Sequence, residues 1–498
     1  MNVQRPASTQ PHRNTRRLCI MHTVWLLCMV LLTLAPGTPA TSSEAQLQRT
    51  LAPLLSELPD NSAWSVAVYD LQRQRFVFTQ HDQRQLRMAS VAKLPVSAAA
   101  LLELGPEFQF STSLVSLGQE PAAHNGRIPG LGVIARGDPC LDEHHTDRQP
   151  ERIFHDWIAA LRKAGVTAID GDLVIDNRFF SGPIRPATYP GGQRNIQAWY
   201  SAPASAFAWN NNCIEVQARP GSAPGQPAII ATRPHSSRIR IINRARTVAN
   251  GGSAGIIVSR AANSNTISVS GQYSKNTSWF PLAIHEDPDL LAADHFAHLL
   301  ATSGLPITGE VRLGRVASNA PLLHQHHSGL IGALTILNQR SHNFYGEQII
   351  RVLGQQRYQE GSIRAGTQAV EDILAERLNL PREHISLLDG SGLSYDNLSS
   401  TWWICQLLAR MHHDPSAAIY TDTLRERWES GVRCQVKTGT LAVARCLAGY
   451  INIVPDQRYA FAILLNRGDA TANDWSRSTS RRDRDRILSA IVQALKEG

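Results

Sequence analysis

The stretch SVAKLPVSAAALLEL, residues 90–104, is the part of this 498-residue chain from which the fold is first read. It opens with the chain's only Ser-x-x-Lys, and the run predicts a helix over residues 90–104. The spacing places Ser90 and Lys93 on one face, with Ser90 at the N-terminus, where free N–H groups stabilise developing negative charge. Lysine becomes a general base when burial or a nearby cation lowers its pKa, which arginine does not permit. Because a lone Ser-x-x-Lys is common, this pair needs support from other motifs.

Lysine is rare in this chain: only five of its 49 lysines and arginines are lysine. One of the five begins the segment Lys437-Thr438-Gly439-Thr440, which lies on a predicted strand over residues 436–440. A lysine and two hydroxyls on a sheet edge can hold a carboxylate, and Gly439 leaves the backbone open to an extended peptide. A second short motif of possible chemical use thus contains one of the five lysines.

A Ser-x-Asn triplet occurs twice between these two motifs, at residues 274–276 and 341–343. The first lies in a strand-like, serine-rich stretch and is predicted to be a surface turn. The second lies between two predicted helices, residues 330–337 and 345–353, where a loop presents a hydroxyl and an amide to the Ser/Lys pair. We therefore choose Ser341 and Asn343 as the candidate residues.

The three elements, in this order, resemble those of penicillin-binding proteins and serine β-lactamases. Ser90 and Ser341 are 251 residues apart, a longer interval than a β-lactamase uses. The chain is most similar to the D-alanyl-D-alanine carboxypeptidase/endopeptidase family, the class C low-molecular-weight penicillin-binding proteins. Five further segments look like signatures of that family: ARGDP (135–139), GDLVID (171–176), YSAP (200–203), DGSGLS (389–394) and LAGY (447–450).

The resemblance implies an α+β fold, in which a transpeptidase-like domain with an antiparallel sheet flanked by helices is interrupted by inserted β-rich domains. It also implies a serine peptidase that cleaves D-Ala-D-Ala bonds of peptidoglycan stem peptides through an acyl-enzyme. β-Lactam antibiotics would inhibit it by mimicking the substrate, and no cofactor or metal is implied. The balance between carboxypeptidase and cross-bridge endopeptidase activity is left open.

The same resemblance assigns catalytic roles to four residues. Lys93 deprotonates Ser90, which attacks the peptide carbonyl. Ser341 relays a proton to the leaving amine, and Asn343 orients Lys93 and the substrate amide. The oxyanion is placed on the N–H groups of Ser90 and Thr440.

Substrate binding is implied for Lys437, Thr438, Gly439 and Thr440, which attract the terminal carboxylate. Asp176 matches an acidic family position that reaches toward the diamino acid of the substrate. A strand-end turn aspartate is an equal alternative for Asp176.

Two departures bear on specificity and turnover. Tyr395 stands where family members often carry an arginine after Gly-Leu-Ser, so the side-chain specificity is open. The segment Glu376-Arg-Leu-Asn379 resembles the deacylating loop of class A β-lactamases, but one residue is missing and it lies in a helical run. We interpret it as a helix end, so fast β-lactam hydrolysis is not predicted.

The domain organisation follows from a change in composition along the chain. Both ends predict helices and antiparallel strands, whereas the middle is rich in Gly, Pro, Ser and Asn with many short β-type runs. We predict a catalytic domain from residues 41–117 and 285–498. The inserted region, 118–284, is predicted to hold two nested domains, about 118–190 plus 260–284, and about 191–259.

The first 40 residues have the pattern of a secretory signal peptide: four arginines, an apolar core over 24–34 and small residues before Ala40. An uncleaved anchor over residues 18–34 is the alternative. Removal of these 40 residues lowers the formal net charge from +8 to +4, and no basic block with aromatics supports a nucleic-acid partner. We predict a periplasmic protein and leave peripheral contact with a membrane surface open.

The composition also excludes several classes of protein. A hydrophobic fraction of 43% excludes a disordered chain, and five cysteines after residue 40 without a C-x-x-C pair exclude a small disulfide scaffold and a zinc site of that type. Cys434 and Cys446 either pair across strands or are small buried side chains. The histidines at 144 and 145, at 324, 326 and 327, and at 412 and 413 lack consistent ligand spacing and are interpreted as solvated loop residues.

Two alternatives to the peptidase stay open at the level of the sequence. One is a serine β-lactamase or esterase on the same scaffold, which rapid loss of a penicillin adduct would reveal. The other is a catalytically silent peptidoglycan-binding protein, although such a binder has no need of Ser90, Lys93, Ser341 and Lys437 together.

Overall fold

The computed structural model describes residues 42–60, 62–118, 125–234, 236–455, 457–467 and 477–498. The predicted signal peptide, residues 1–40, lies outside these ranges. The α-helices of the described residues are α1 (Ser42–Ser56), α2 (Lys93–Leu104), α3 (Arg152–Lys163), α4 (Gln193–Gln197), α5 (Pro288–Thr302), α6 (Leu330–Gln339), α7 (Asn343–Tyr358), α8 (Ile363–Leu378), α9 (Thr401–His412), α10 (Ala417–Asp422) and α11 (Arg477–Glu497).

The strands follow one another closely in the inserted region and again at the C-terminal end. They are β1 (Ser62–Asp70), β2 (Arg75–Gln80), β3 (Leu86–Arg87), β4 (Gln109–Ser116), β5 (Arg127–Ile128), β6 (Leu131–Ala135), β7 (Ala168–Ile169), β8 (Leu173–Asp176), β9 (Cys213–Arg219), β10 (Ile229–Arg233), β11 (Arg240–Asn243), β12 (Arg246–Thr247), β13 (Ile257–Ser259), β14 (Thr266–Ser270), β15 (Gln272–Tyr273), β16 (Phe280–Ala283), β17 (Val311–Leu313), β18 (Leu322–Gly329), β19 (Ile385–Ser386), β20 (Leu398–Ser399), β21 (Arg425–Glu429), β22 (Val432–Leu441), β23 (Ala444–Val454) and β24 (Gln457–Arg467).

Both ends of the chain build one six-stranded antiparallel sheet, in the order β2-β1-β24-β23-β22-β21. The N-terminal strand β1 pairs along its whole length with the C-terminal strand β24. Helices cover both faces. Leu51 of α1 and Ile491 of α11 lie in the core on one face, and α2, α7, α8 and α9 contribute to the core on the other. This is the predicted α+β arrangement of an antiparallel sheet flanked by helices.

The Ser-x-x-Lys segment differs in one respect from the predicted helix. Ser90 lies in a 3₁₀ turn, Ala89–Ala92, and the α-helix begins only at Lys93. Pro95 gives the physical reason, because its ring nitrogen carries no hydrogen and is tolerated only in the first turn of an α-helix. A regular helix from Ser90 would have placed Pro95 in its second turn. Helix α2 is buried throughout Lys93–Leu102, so its position behind Ser90 is held by the core.

The inserted region contributes several small sheets. A five-stranded sheet has the order β17-β8-β6-β4-β18, and three-stranded sheets have the orders β10-β9-β16 and β11-β14-β13. Strands β4, β17 and β18 lie outside the predicted limits 118–284, yet β4 pairs with β6 and β17 with β8 inside them, and β18 pairs with β4 in the same sheet. The domain limits stay a prediction, and we propose from the strand pairing that the inserted unit extends over about residues 109–329.

Two smaller expectations are resolved by the fold. All five cysteines of the described residues are free and buried, and Cys434 stands opposite Ile451 rather than Cys446. The two therefore match the alternative of buried small side chains. The interpretation of His324, His326 and His327 as loop residues is wrong, because they lie on strand β18. Among the helices described in residues 42–498, none combines the length and apolar character that a bilayer crossing demands.

Candidate active site

Ser90 and Lys93 form the centre of a buried polar cluster. The Lys93 Nζ lies 3.0 Å from Ser90 Oγ and donates at 2.8 Å to Asn343 Oδ1; it also donates to the Ser391 carbonyl. The Lys93 side chain is fully buried, and burial lowers its pKa to about 7, although the carboxylates of Asp389 and Glu347 act in the opposite direction. A substantial fraction of this amine is therefore a free base at neutral pH, within reach of the Ser90 hydroxyl.

The turn that carries the Ser391 carbonyl is built around Asp389. The Asp389 carboxylate accepts backbone N–H bonds from Ser391 at 3.1 Å, Gly392 at 2.6 Å and Ser394 at 2.6 Å. Gly392 has a φ of +78°, and a Cβ on it would lie 2.0 Å from the Ala89 carbonyl oxygen, so no other residue fits beside the 3₁₀ turn. The DGSGLS segment thus positions the Ser391 carbonyl that accepts from Lys93, a role that the sequence motifs did not predict. An aspartate followed by Gly-Ser-Gly was the available signal.

The second Ser-x-Asn triplet reaches this cluster and the first does not. Asn343 is the first residue of α7; its Oδ1 accepts from Lys93, and its Nδ2 donates at 2.9 Å to the Tyr200 carbonyl. Ser341 has a left-handed backbone, with φ +55°, and its Oγ accepts from Lys437 Nζ at 2.8 Å. Ser274 instead donates to the Gly251 carbonyl in a turn after β15.

Lys437, the first residue of the third motif, lies on strand β22 and reaches the same polar cluster. Its Nζ lies within 2.9 Å of the Thr438 carbonyl as well as 2.8 Å from Ser341. The side chain is 1% exposed, and burial, aided by the positive charges of Lys93 and Arg425, lowers its pKa well below the usual value. The two buried amines are close enough for the charge of Lys93 to lower the pKa of Lys437, so a carboxylate bound beside them would favour their charged forms.

The edge of strand β22 is open where the motif lies. Strand β21 pairs only with Val432–Val436, so in the described residues no strand follows on that side over residues 437–441. Thr438 is half-buried and Thr440 is exposed along this free edge. Gly439 serves a further purpose: a Cβ there would lie 2.7 Å from the Met88 carbonyl oxygen, so its absence lets β22 approach the segment that carries Ser90.

Asp176 lies at the end of strand β8. Among the described residues, its hydrogen bonds do not connect it to the cluster around Ser90. Its carboxylate accepts from the Arg178 guanidinium at 2.7 and 2.9 Å and from the Val316 N–H at 3.1 Å. These bonds outweigh partial burial and hold the pKa of Asp176 below its usual value. The contacts match the strand-end alternative, and a substrate-facing role for Asp176 stays a prediction.

A family model for D-Ala-D-Ala carboxypeptidase 3 (S13) matches residues 47–485, which contain the whole cluster. The chain belongs to this family. The recognition made from the sequence motifs is confirmed, and with it a serine-type D-Ala-D-Ala carboxypeptidase. The family context and the geometry are compatible, since a serine beside a buried amine of lowered pKa is a combination that acyl-enzyme chemistry can use.

Individual relatives agree over almost the whole chain. The D-alanyl-D-alanine carboxypeptidase of an Actinomadura species is 27% identical over 93% of this chain and 89% of its own length. The D-alanyl-D-alanine carboxypeptidase DacB of Haemophilus influenzae is 24% identical over 83% of this chain and 87% of its own.

The crystal structure of penicillin binding protein 4 from Haemophilus influenzae superposes with a TM-score of 0.74 at 22% identity, covering 91% of this chain and 99% of that one. A second structure of the same protein, complexed with a novel β-lactam, has a TM-score of 0.67 at 22% identity, covering 90% and 98%. The predicted fold is confirmed.

Proposed function

We propose that Ser90 is the nucleophile and Lys93 the general base of an acyl transfer from D-Ala-D-Ala peptides. The observation that carries the assignment is the buried Lys93 amine, which lies 3.0 Å from Ser90 Oγ with its pKa lowered to about 7. The hydroxyl proton passes to the Lys93 amine while Ser90 Oγ bonds to the carbonyl carbon between the two D-alanines. The resulting oxyanion is assigned to the N–H groups of Ser90 and Thr440.

The leaving group requires a proton before the peptide bond breaks. The Ser341 Oγ lies 2.8 Å from Lys437 Nζ, and Asn343, two residues later, binds Lys93. Ser341 is thereby positioned to relay the proton that Lys93 took from Ser90 to the departing D-alanine amine. Lys437, with Thr438 and Thr440 on the free strand edge, attracts the terminal carboxylate. Water then attacks the Ser90 ester and releases the shortened stem peptide.

The direct test is a paired assay on the purified chain. It should release D-alanine from a D-Ala-D-Ala peptide and form a covalent adduct with a fluorescent penicillin at Ser90. A chain that does neither would contradict the assignment and would favour a silent peptidoglycan-binding protein.

We also propose that β-lactams are slow substrates that persist as acyl-enzymes, as expected for a penicillin-binding protein. Glu376, the residue that a class A β-lactamase comparison would select, lies near the end of α8 and forms an ion pair with Arg357. Asn379 ends that helix, as the sequence analysis predicted. This segment therefore offers no carboxylate that would activate water for deacylation. An adduct that disappears within seconds would contradict this and support the β-lactamase alternative.

The compartment belongs to the same proposal. We propose that residues 1–40 direct export and that the chain acts on peptidoglycan in the periplasm, in keeping with its basic, then apolar N-terminal sequence. Peripheral membrane association stays a prediction from net charge. Cell fractionation and N-terminal sequencing of the mature protein test export and cleavage, and retention of the full N-terminus in a membrane fraction would favour the uncleaved anchor.

Acylation by penicillin is expected to rise with pH and to reach half of its plateau near pH 7. Only the free amine of Lys93 accepts the Ser90 proton, and the pKa of Lys93 is lowered to about 7, so its reactive fraction is lost as the pH falls below that value. The second-order rate of labelling, measured from pH 5 to 9, checks this. A rate independent of pH across the range would remove Lys93 from the role of base.

Replacement of Ser341 by alanine is expected to slow D-alanine release by about 10²-fold to 10³-fold, because the proton relay to the leaving amine is removed. Ser274→Ala is the matched control, since Ser274 belongs to the other Ser-x-Asn triplet and donates to the Gly251 carbonyl. Steady-state rates with a D-Ala-D-Ala peptide decide the matter. Equal rates for the two variants would show that the wrong triplet had been chosen.

A further inference from the structure

Helix α7 carries a buried carboxylate that the proposed mechanism does not use. Glu347 lies one helical turn after Asn343 and is 1% exposed. Burial, with the neighbouring Asp389 carboxylate, raises its pKa to about 8. A group this costly to bury needs a structural or catalytic reason, and its partners indicate one.

Those partners connect Glu347 to the inserted region. Tyr189, between β8 and α4, donates its hydroxyl at 2.9 Å to Glu347 Oε1 and lies 3.1 Å from Ser391 Oγ. The Gly390 N–H donates to the same Glu347 oxygen at 3.1 Å. One tyrosine hydroxyl therefore joins the helix that carries Asn343 to the turn that accepts from Lys93.

The contact is one of several that bind this side of α7 to the inserted region. Asn343 Nδ2 donates to the Tyr200 carbonyl at 2.9 Å, Gln348 Nε2 to the Ser205 carbonyl at 3.0 Å, and Arg351 Nη1 to the Ser181 carbonyl at 3.0 Å. All three side chains are buried. Tyr189 differs from these backbone contacts because its side chain reaches past α7 to Ser391, whose carbonyl accepts from Lys93.

We propose that Tyr189 is a positioning residue of the acylation step: its hydroxyl connects Glu347 to Ser391, whose carbonyl accepts from the Lys93 amine, so that the inserted region completes the setting of the catalytic base. This inference rests on the proposed role of Lys93. The Ser391 carbonyl sets the direction of the amine, and the Glu347 carboxylate acts on its charge through a dry interior where electrostatic effects are strong.

The sign of the electrostatic effect follows from the charges around the amine. The Glu347 carboxylate raises the pKa of Lys93, and the Tyr189 hydroxyl favours the carboxylate form of Glu347. Removing the hydroxyl leaves Glu347 protonated to a higher pH, and because the pKa of Glu347 is already about 8, the electrostatic effect on Lys93 is confined to the alkaline side of neutrality. The charged and titratable groups that face this cluster are Lys93 on α2, Glu347 and Arg351 on α7, His342 before α7, Asp389 in the turn, Tyr189 and Arg185 from the inserted region, and Lys437 on β22.

The test is the pH dependence of acylation by a fluorescent penicillin in the full chain carrying Tyr189→Phe. We expect the plateau rate of acylation to fall about fivefold to tenfold, while the penicillin concentration that gives half of the maximal rate stays unchanged. The acid limb should stay near pH 7 in both Tyr189→Phe and Glu347→Gln, because Glu347, with its pKa raised to about 8, is already largely protonated there.

Tyr358→Phe is the matched control. It removes the same hydroxyl at the far end of α7, where the partner is Asp372, and should leave both rate and limb unchanged. A Tyr189→Phe protein whose plateau rate of acylation equals that of the wild type, or whose loss lies only in the half-saturating penicillin concentration, overturns the inference, whatever the change in thermal stability. Failure of the proposed function is distinguishable: it would show as wild-type acylation in Lys93→Met, irrespective of Tyr189.

Discussion

Replacing Ser90 with alanine is expected to abolish the penicillin adduct and to lower D-alanine release by about 10⁴-fold or more. The hydroxyl is the only nucleophile placed beside the Lys93 amine in the described cluster, at 3.0 Å. Without it no ester forms, and what remains of catalysis is substrate binding and the oxyanion site. The measurement is labelling with fluorescent penicillin and peptide mapping, with D-alanine release assayed in parallel.

Binding and folding serve as the controls for this variant. Lys437, Thr438 and Thr440 are untouched in Ser90→Ala, so non-covalent binding of a D-Ala-D-Ala peptide should persist. Ser274→Ala should label like the wild type, because Ser274 lies in a turn remote from the hydrogen bonds of the site. An adduct in the Ser90→Ala protein that maps to another serine would contradict the assignment of the nucleophile.

Lys93→Arg is expected to lower the rate of acylation by about 10³-fold to 10⁴-fold. Arginine keeps the positive charge, but its pKa is too high for it to release a free base at neutral pH. The lysine is fully buried and accepts that role only because burial lowers its pKa to about 7. The substitution therefore separates a base from a mere cation, and the labelling rate at pH 8 measures the difference.

A second variant protects this prediction from a folding defect. Guanidinium is larger than ammonium, and the Lys93 side chain is fully buried, so an arginine there could disturb the packing. Lys93→Met, which is close in length and uncharged, should therefore be tested beside Lys93→Arg. Both are expected to lose acylation while their unfolding transitions remain cooperative. The exposed Lys275→Arg is the control for the exchange itself. Wild-type labelling by Lys93→Arg would show that charge, not proton transfer, is what the site needs.

Much of the site was predictable because its motifs are local. The three-residue interval between Ser90 and Lys93 is read from helical geometry, and it survives even though the α-helix begins at Lys93. The strand that contains Lys437 was predicted from the residues on either side of it. The sheet shared by both chain ends was indicated by the apolar strands at each end. The α-helix itself begins three residues later than predicted, at Lys93, because Pro95 is tolerated only in its first turn.

Other parts depend on contacts that sequence spacing does not encode. Asn343 meets Lys93 across 250 residues, and Tyr189 meets Ser391 across 202. The histidines of β18 were placed in loops because their pairing partner, β4, lies some 200 residues earlier in the chain. Long-range pairing is decided by which surfaces bury together, and a single sequence does not show that.

The sequence by itself determined which chemistry this protein carries, because a scarce lysine three residues from a serine and another before Thr-Gly-Thr are properties of short segments. Only the tertiary structure decided that Lys93 is a usable base. The pKa of Lys93 falls because helix α2 is buried in the core. The inserted region supplies Tyr189, whose hydroxyl contacts Glu347 and Ser391. Desolvation depends on everything packed around an atom, so it exists only once distant segments have folded together.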